Sequence, residues 1–180
     1  VYKRQGTGSV KIQFQKPEKI YLIILFALFS AISEELVFRG YLLGVFIRNN
    51  QKNIGILVSS IFFTLVHIFN PQINALAIFI IFLVGLFLGL VTIRLKTIYF
   101  AIGFHAAFNF LGTFLGFNQL FQDNKHALLK IESVSTSKFY LGEMNDITGS
   151  VIFSILLIFF IFLFLVREKL PTMKAGRLNI

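Results

Sequence analysis

The sequence predicts an all-α protein, a polytopic transmembrane bundle of about five membrane helices. Three observations carry that prediction. The 180-residue chain is 56% hydrophobic, with 24 Phe and only 14% charged residues, far outside the usual soluble range. Several apolar stretches reach the roughly 20 residues needed to cross a ~30 Å hydrocarbon core. They are continuous rather than alternating, which excludes the strands of a membrane barrel. Helices remain, because a helix satisfies its own backbone groups in lipid.

The elements follow in order. Residues 1–19 are polar and basic, with Lys3, Arg4, Lys11, Lys16 and Lys19, and form an interfacial arm or a loop from an upstream segment. No charged leader, short apolar core and cleavage site occur in succession, so no signal peptide is expected, and further helices are expected upstream. The first apolar segment spans 20–47 and ends at Asn49-Asn50-Gln51-Lys52-Asn53. The second spans 54–69 and is closed by Asn70-Pro71-Gln72, where Pro71 suits the first turn of the next helix. The third spans 73–93 and stops at Arg94 and Lys96, and the fourth spans 97–117. Residues 20–117 thus form a four-helix membrane core. A polar loop over 118–146, holding a solvated His126, leads to a last membrane helix over 147–166 and a basic tail over 167–180. Gly40/Gly44, Gly85/Gly89 and Gly112/Gly116 each stand four apart, a spacing that lets helix backbones approach closely.

The net charge of +9 does not indicate nucleic-acid binding. The basic residues flank the apolar runs, where they match anionic lipid headgroups and set topology. With five crossings, the 48–53 and 94–96 loops and the tail share one side. That side carries Arg48, Lys52, Arg94, Lys96, Arg167, Lys169, Lys174 and Arg177 against the single acid Glu168, and is expected to be cytoplasmic. The chain has no cysteine, which removes disulfides and Cys-ligated metals.

Charged groups in apolar helices mark function by default. The first helix carries Glu34-Glu35-x-x-x-Arg39. Glu35 and Arg39 are four apart, so they share a face and can pair, whereas Glu34 is turned about 100° away. The second carries Phe63-x-x-x-His67 and the fourth His105-x-x-x-Asn109, each pair again on one face. At ~1.5 Å per residue from the 48–53 side, Glu34 lies about 21 Å deep, His67 about 20 Å, His105 about 12 Å and Asn109 about 18 Å. Two carboxylates, two imidazoles and an amide therefore fall in one layer.

Each residue has a structural alternative: a self-neutralising Glu35–Arg39 pair, a protonated Glu34, histidines and Asn109 as interhelix hydrogen-bonders, Phe63 as core. All of these would have to hold together in one layer. The chemistry open to the set is amide hydrolysis. A carboxylate and an imidazole sharing a water can take its proton, and a second imidazole with an amide one turn on can donate to the oxyanion. No buried serine has a comparable setting, and the H-E-x-x-H signature is absent.

Glu34-Glu35-x-x-x-Arg39, Phe63-x-x-x-His67 and His105-x-x-x-Asn109, in this order on successive helices, resemble the CPBP (CAAX protease and bacteriocin-processing, or Abi) family of intramembrane proteases over residues 20–117. The resemblance implies an intramembrane endopeptidase acting on a membrane-associated protein or peptide. It implies Glu34 as principal base with His67, His105 and Asn109 as the oxyanion hole, and Glu35 and Arg39, with Phe63, as supporting groups. Family naming as metalloproteases implies a divalent metal such as zinc, whose ligands would be Glu34, His67 and His105; metal-free activation by Glu and His is the form favoured here. The resemblance also brings a second reading, bacteriocin self-immunity or peptide sequestration with little catalysis. A proton-coupled transporter is a third, for which broken helices and paired repeats are missing. The Phe- and Ile-rich composition fits a bacterial source and hence the cytoplasmic membrane, with lipid and a peptide substrate as partners.

Overall fold

The structure is a computed structural model that describes residues 10–14, 16–69, 75–115, 127–133 and 151–166. Pro71, Gly116, His126, most of the 118–146 loop and the basic tail lie outside the described residues.

The described chain is a helical bundle with one small ribbon. Strand β1 (Val10–Phe14) precedes helix α1 (Ile20–Glu35), which runs through a π-helical segment (Leu36–Leu42) into α2 (Leu43–Arg48). Helices α3 (Lys52–His67), α4 (Ala75–Leu95) and α5 (Tyr99–Phe114) follow, then strand β2 (Leu129–Ser133) and helix α6 (Val151–Val166). The 29-residue rod Ile20–Arg48 and the 21-residue α4 are long and apolar enough to cross a membrane, and Lys52–His67 is apolar but shorter.

The breaks read from the sequence are visible as backbone devices. After α2 the chain turns through Asn50 in the left-handed region, φ 57°. The Gln51 N–H donates to the Phe46 carbonyl at 2.9 Å and the Asn50 N–H to the Ile47 carbonyl at 3.1 Å. This is a Schellman closure, with asparagine where glycine is commonest. Lys96, φ 56°, turns the chain at the end of α4.

Helix α4 is the centre of the bundle. Its Leu90 and Ile93 pack with Leu43, Ile47 and Ile56, and its Phe87, Leu88 and Val91 with Ala101. Its Ile80 and Leu83 meet Leu157 of α6. In lipid such contacts act through packing rather than expulsion of water, so close approach matters. A Cβ on Gly85 would lie 3.0–3.1 Å from Ser60 Cβ and Cα, and one on Gly89 3.2 Å from Ile56. The Gly85/Gly89 spacing therefore serves the antiparallel α3–α4 contact. A Cβ on Gly40 would meet nothing nearer than 3.8 Å, so that glycine marks no close approach.

Helix α1 packs on α5. Its buried residues, Ile23, Ala27, Ala31 and Glu35, recur every fourth position, and the two alanines let the helices come close. The stripe ends on Glu35, which delivers that carboxylate into the interior. Two features were not anticipated from the sequence. The π segment turns less per residue than an α-helix and buries three consecutive residues, Phe38, Arg39 and Gly40. The ribbon pairs β1 antiparallel with β2, Val10 opposite Ser133 and Phe14 opposite Leu129. It ties the arm that enters α1 to the segment that leaves α5.

Candidate active site

Glu35 and Arg39 pair as their spacing predicts, but within a larger network. Arg39 Nη1 donates to Glu35 Oε1 at 3.0 Å, with both side chains fully buried. Arg39 Nη2 donates to the Gly85 carbonyl of α4 at 3.2 Å, and the guanidinium carbon stands 4.3 Å from the centroid of the Phe63 ring. The cation is thus met by a carboxylate, a carbonyl dipole and an aromatic face, which offset part of its desolvation, while Arg39 Nε and Glu35 Oε2 are buried without a hydrogen-bond partner among the described residues. His105 Nδ1 lies 2.9 Å from the same Glu35 oxygen. A carboxylate only accepts, so Nδ1 carries the proton. Glu35 thereby joins α1, the π segment and α5.

Glu34, one residue earlier, faces elsewhere. Its Oε2 lies 3.8 Å from His67 Nε2, and both side chains are 28% exposed. The other ring nitrogen, His67 Nδ1, lies 2.7 Å from the Phe63 carbonyl. A carbonyl cannot donate, so Nδ1 is protonated and Nε2 of the neutral ring is a lone-pair acceptor. Two acceptors therefore face each other across 3.8 Å, and Glu34 Oε2 has no hydrogen-bond partner among the described residues. They line an open cavity of about 490 Å³ together with Ser33, Val37, Phe38 and Val66.

Phe63 joins the two halves. Its ring centroid is 4.8 Å from that of His67 and 5.7 Å from that of His105, with Phe38 edge-on at 5.5 Å. Asn109, one turn beyond His105, donates from Nδ2 to Ser30 Oγ at 3.1 Å. All seven residues singled out in the sequence thus fall in one connected region. Three participants were missed: Ser30, Ser33 and the Gly85 carbonyl. Ser30 stands four residues before Glu34, a spacing visible in the sequence; the Gly85 carbonyl leaves no sequence signal.

The family model described as type II CAAX prenyl endopeptidase Rce1-like matches residues 16–111, more than half of the chain. The chain belongs to this family. No curated protein and no solved structure gives a match. The matched span runs from just before α1 to near the end of α5 and contains every candidate residue described above. Membership and the two long apolar helices make the chain a membrane protein of a protease family, with a peptide or protein as the substrate class.

The metal implied by the metalloprotease naming of such enzymes would need Glu34, His67 and His105 to converge. Among the described residues no three His, Asp or Glu side chains do so. His105 commits Nδ1 to Glu35, while Glu34 faces His67. The residues as arranged do not fit a three-ligand zinc site.

Proposed function

We propose that this chain is an intramembrane endopeptidase in which Glu34 and His67 activate a water, and that the network around Glu35 holds the oxyanion site in place. The observation that carries the reading is the pair of facing acceptors. Glu34 and His67 line an open cavity with Oε2 and Nε2 3.8 Å apart, too far for a direct hydrogen bond, and in the neutral form of the ring both atoms are acceptors. A water lying beside the pair can donate one hydrogen to each, which leaves its oxygen lone pairs directed away from both and toward a bound carbonyl carbon.

Attack forms the C–O bond while the pair takes the water's proton. The negative charge that develops on the carbonyl oxygen meets His105 and Asn109. With Nδ1–H already given to Glu35, His105 can donate from Nε2 only as the imidazolium. Collapse of the intermediate breaks the C–N bond, and the proton held by the Glu34–His67 pair passes to the leaving amine. Water is thereby divided between the two products, with no covalent enzyme intermediate.

The test is incubation of the purified protein, in detergent and in liposomes, with a prenylated CAAX-terminated reporter and a library of unprenylated peptides. The wild type is expected to release product at one peptide bond, and Glu34→Gln, which keeps shape and loses the base, to release none. Tight peptide binding by the wild type without turnover would replace this reading with sequestration, the bacteriocin-immunity alternative.

A further inference from the structure

We infer that Ser30 is a positioning residue for the Asn109 amide: its hydroxyl oxygen fixes the plane in which Asn109 offers its second N–H to the oxyanion. The inference rests on the proposed role of Asn109. It starts from the contact of Asn109 Nδ2 with Ser30 Oγ, 3.1 Å, a half-buried bond between residues 79 apart in sequence.

An asparagine amide rotates broadly about its last torsion, so a donor left alone would point in many directions. The amide is planar, and each Nδ2 hydrogen lies in that plane. Once Ser30 Oγ holds one hydrogen, the direction of the other is set. Donors that need no reorganisation during the reaction are the effective ones.

The location fits this task. Ser30 is four residues before Glu34, so the two stand one turn apart on one face of α1. Four residues likewise separate His105 from Asn109 on α5. The α1–α5 contact is therefore crossed twice in successive turns, by Glu35 with His105 and by Ser30 with Asn109. One crossing sets the imidazole and the other the amide. Ser33, one turn along, spends its hydroxyl on the Phe29 and Ser30 carbonyls at 2.9 and 3.0 Å, so it does not substitute for Ser30 toward Asn109.

The experiment is a double-mutant cycle on the full chain in liposomes, with the prenylated reporter, measuring kcat, KM and the unfolding temperature. Ser30→Ala should lower kcat roughly tenfold with KM and unfolding temperature unchanged, short of the roughly 10²–10³ that loss of a whole oxyanion donor costs. Ser30→Thr keeps the hydroxyl and should restore most of kcat. In the Asn109→Ala background, Ser30→Ala should have no further effect. Additive losses, or an unaltered kcat in Ser30→Ala beside a strongly impaired Asn109→Ala, would overturn the positioning role and leave the role of Asn109 standing. An Asn109→Ala protein with full kcat would instead remove the oxyanion role itself, and the inference with it.

Discussion

Glu34 and Glu35 are neighbours in the chain and opposites in the fold. Glu35 is fully buried, and one of its oxygens holds both Arg39 and His105. Glu34 is part-exposed on a cavity, its Oε2 without a partner and facing a lone pair of His67. The chemical group is the same; the difference comes from the helix, which turns successive side chains about 100° apart. One direction points into the α5 contact, where Arg39 and His105 both meet the buried carboxylate at Oε1. The other turns toward the cavity that Glu34 lines with His67, where its part-exposed carboxylate, with Oε2 itself buried and unpartnered among the described residues, stands next to the imidazole. A buried network that crosses helices, though Glu35 Oε2 and Arg39 Nε are left without a hydrogen-bond partner among the described residues, beside a part-exposed pair on a cavity is the division of labour expected of a site that must be rigid and reactive at once.

That contrast can be broken most severely on the rigid side. Arg39→Ala strands the buried Glu35 carboxylate and should cost about 3–5 kcal/mol of stability. Denaturant unfolding in micelles checks this, and a normal midpoint would show that the network does not hold the bundle. Next in size, His105→Ala should cut turnover by about 10²–10³ while substrate still binds; a loss confined to KM would move His105 from the oxyanion to substrate binding. The smallest effects probe the frame that brings the Gly85 carbonyl to Arg39. Gly85→Val pushes against the backbone of Ser60 and should destabilise by about 1–3 kcal/mol. Gly40→Ala meets only ordinary contacts and should be neutral or stabilising by up to about 1 kcal/mol. Equal behaviour of the two glycine variants in thermal melts would show that the α3–α4 approach is not the constraint described.

The parts legible in the sequence are those fixed within one helix. The Glu35–Arg39 spacing foretells a pair because i,i+4 residues share a face, and Asn49-Asn50 foretells the break that the Schellman closure completes. The common layer of Glu34, His67, His105 and Asn109 follows from helix rise alone. What could not be read depends on how each helix is rotated toward its neighbours. Helices α1 and α4 are apolar on all sides, as lipid and core both permit, so periodicity names no inward face. For that reason His105 as the third member of the Glu35 network, Ser30 under Asn109 and the Gly85 carbonyl on Arg39 emerge only in three dimensions. The β1–β2 ribbon was silent for a related cause, since its partners stand far apart in sequence; no residue pattern in Leu36–Leu42 announces the π segment.

The central claim is that these two adjacent carboxylates do different work, and paired isosteric substitutions test it directly. Glu34→Gln and Glu35→Gln should each be measured for turnover of the reporter and for unfolding temperature. Glu34→Gln is expected to lose about 10²–10⁴ in kcat, the usual contribution of a general base, at an unfolding temperature close to that of the wild type. Glu35→Gln is expected to lower the unfolding temperature markedly, because Arg39 loses its counter-charge. The reverse pattern, with Glu34→Gln active and Glu35→Gln fully stable but inert, would contradict the account and make Glu35 the base.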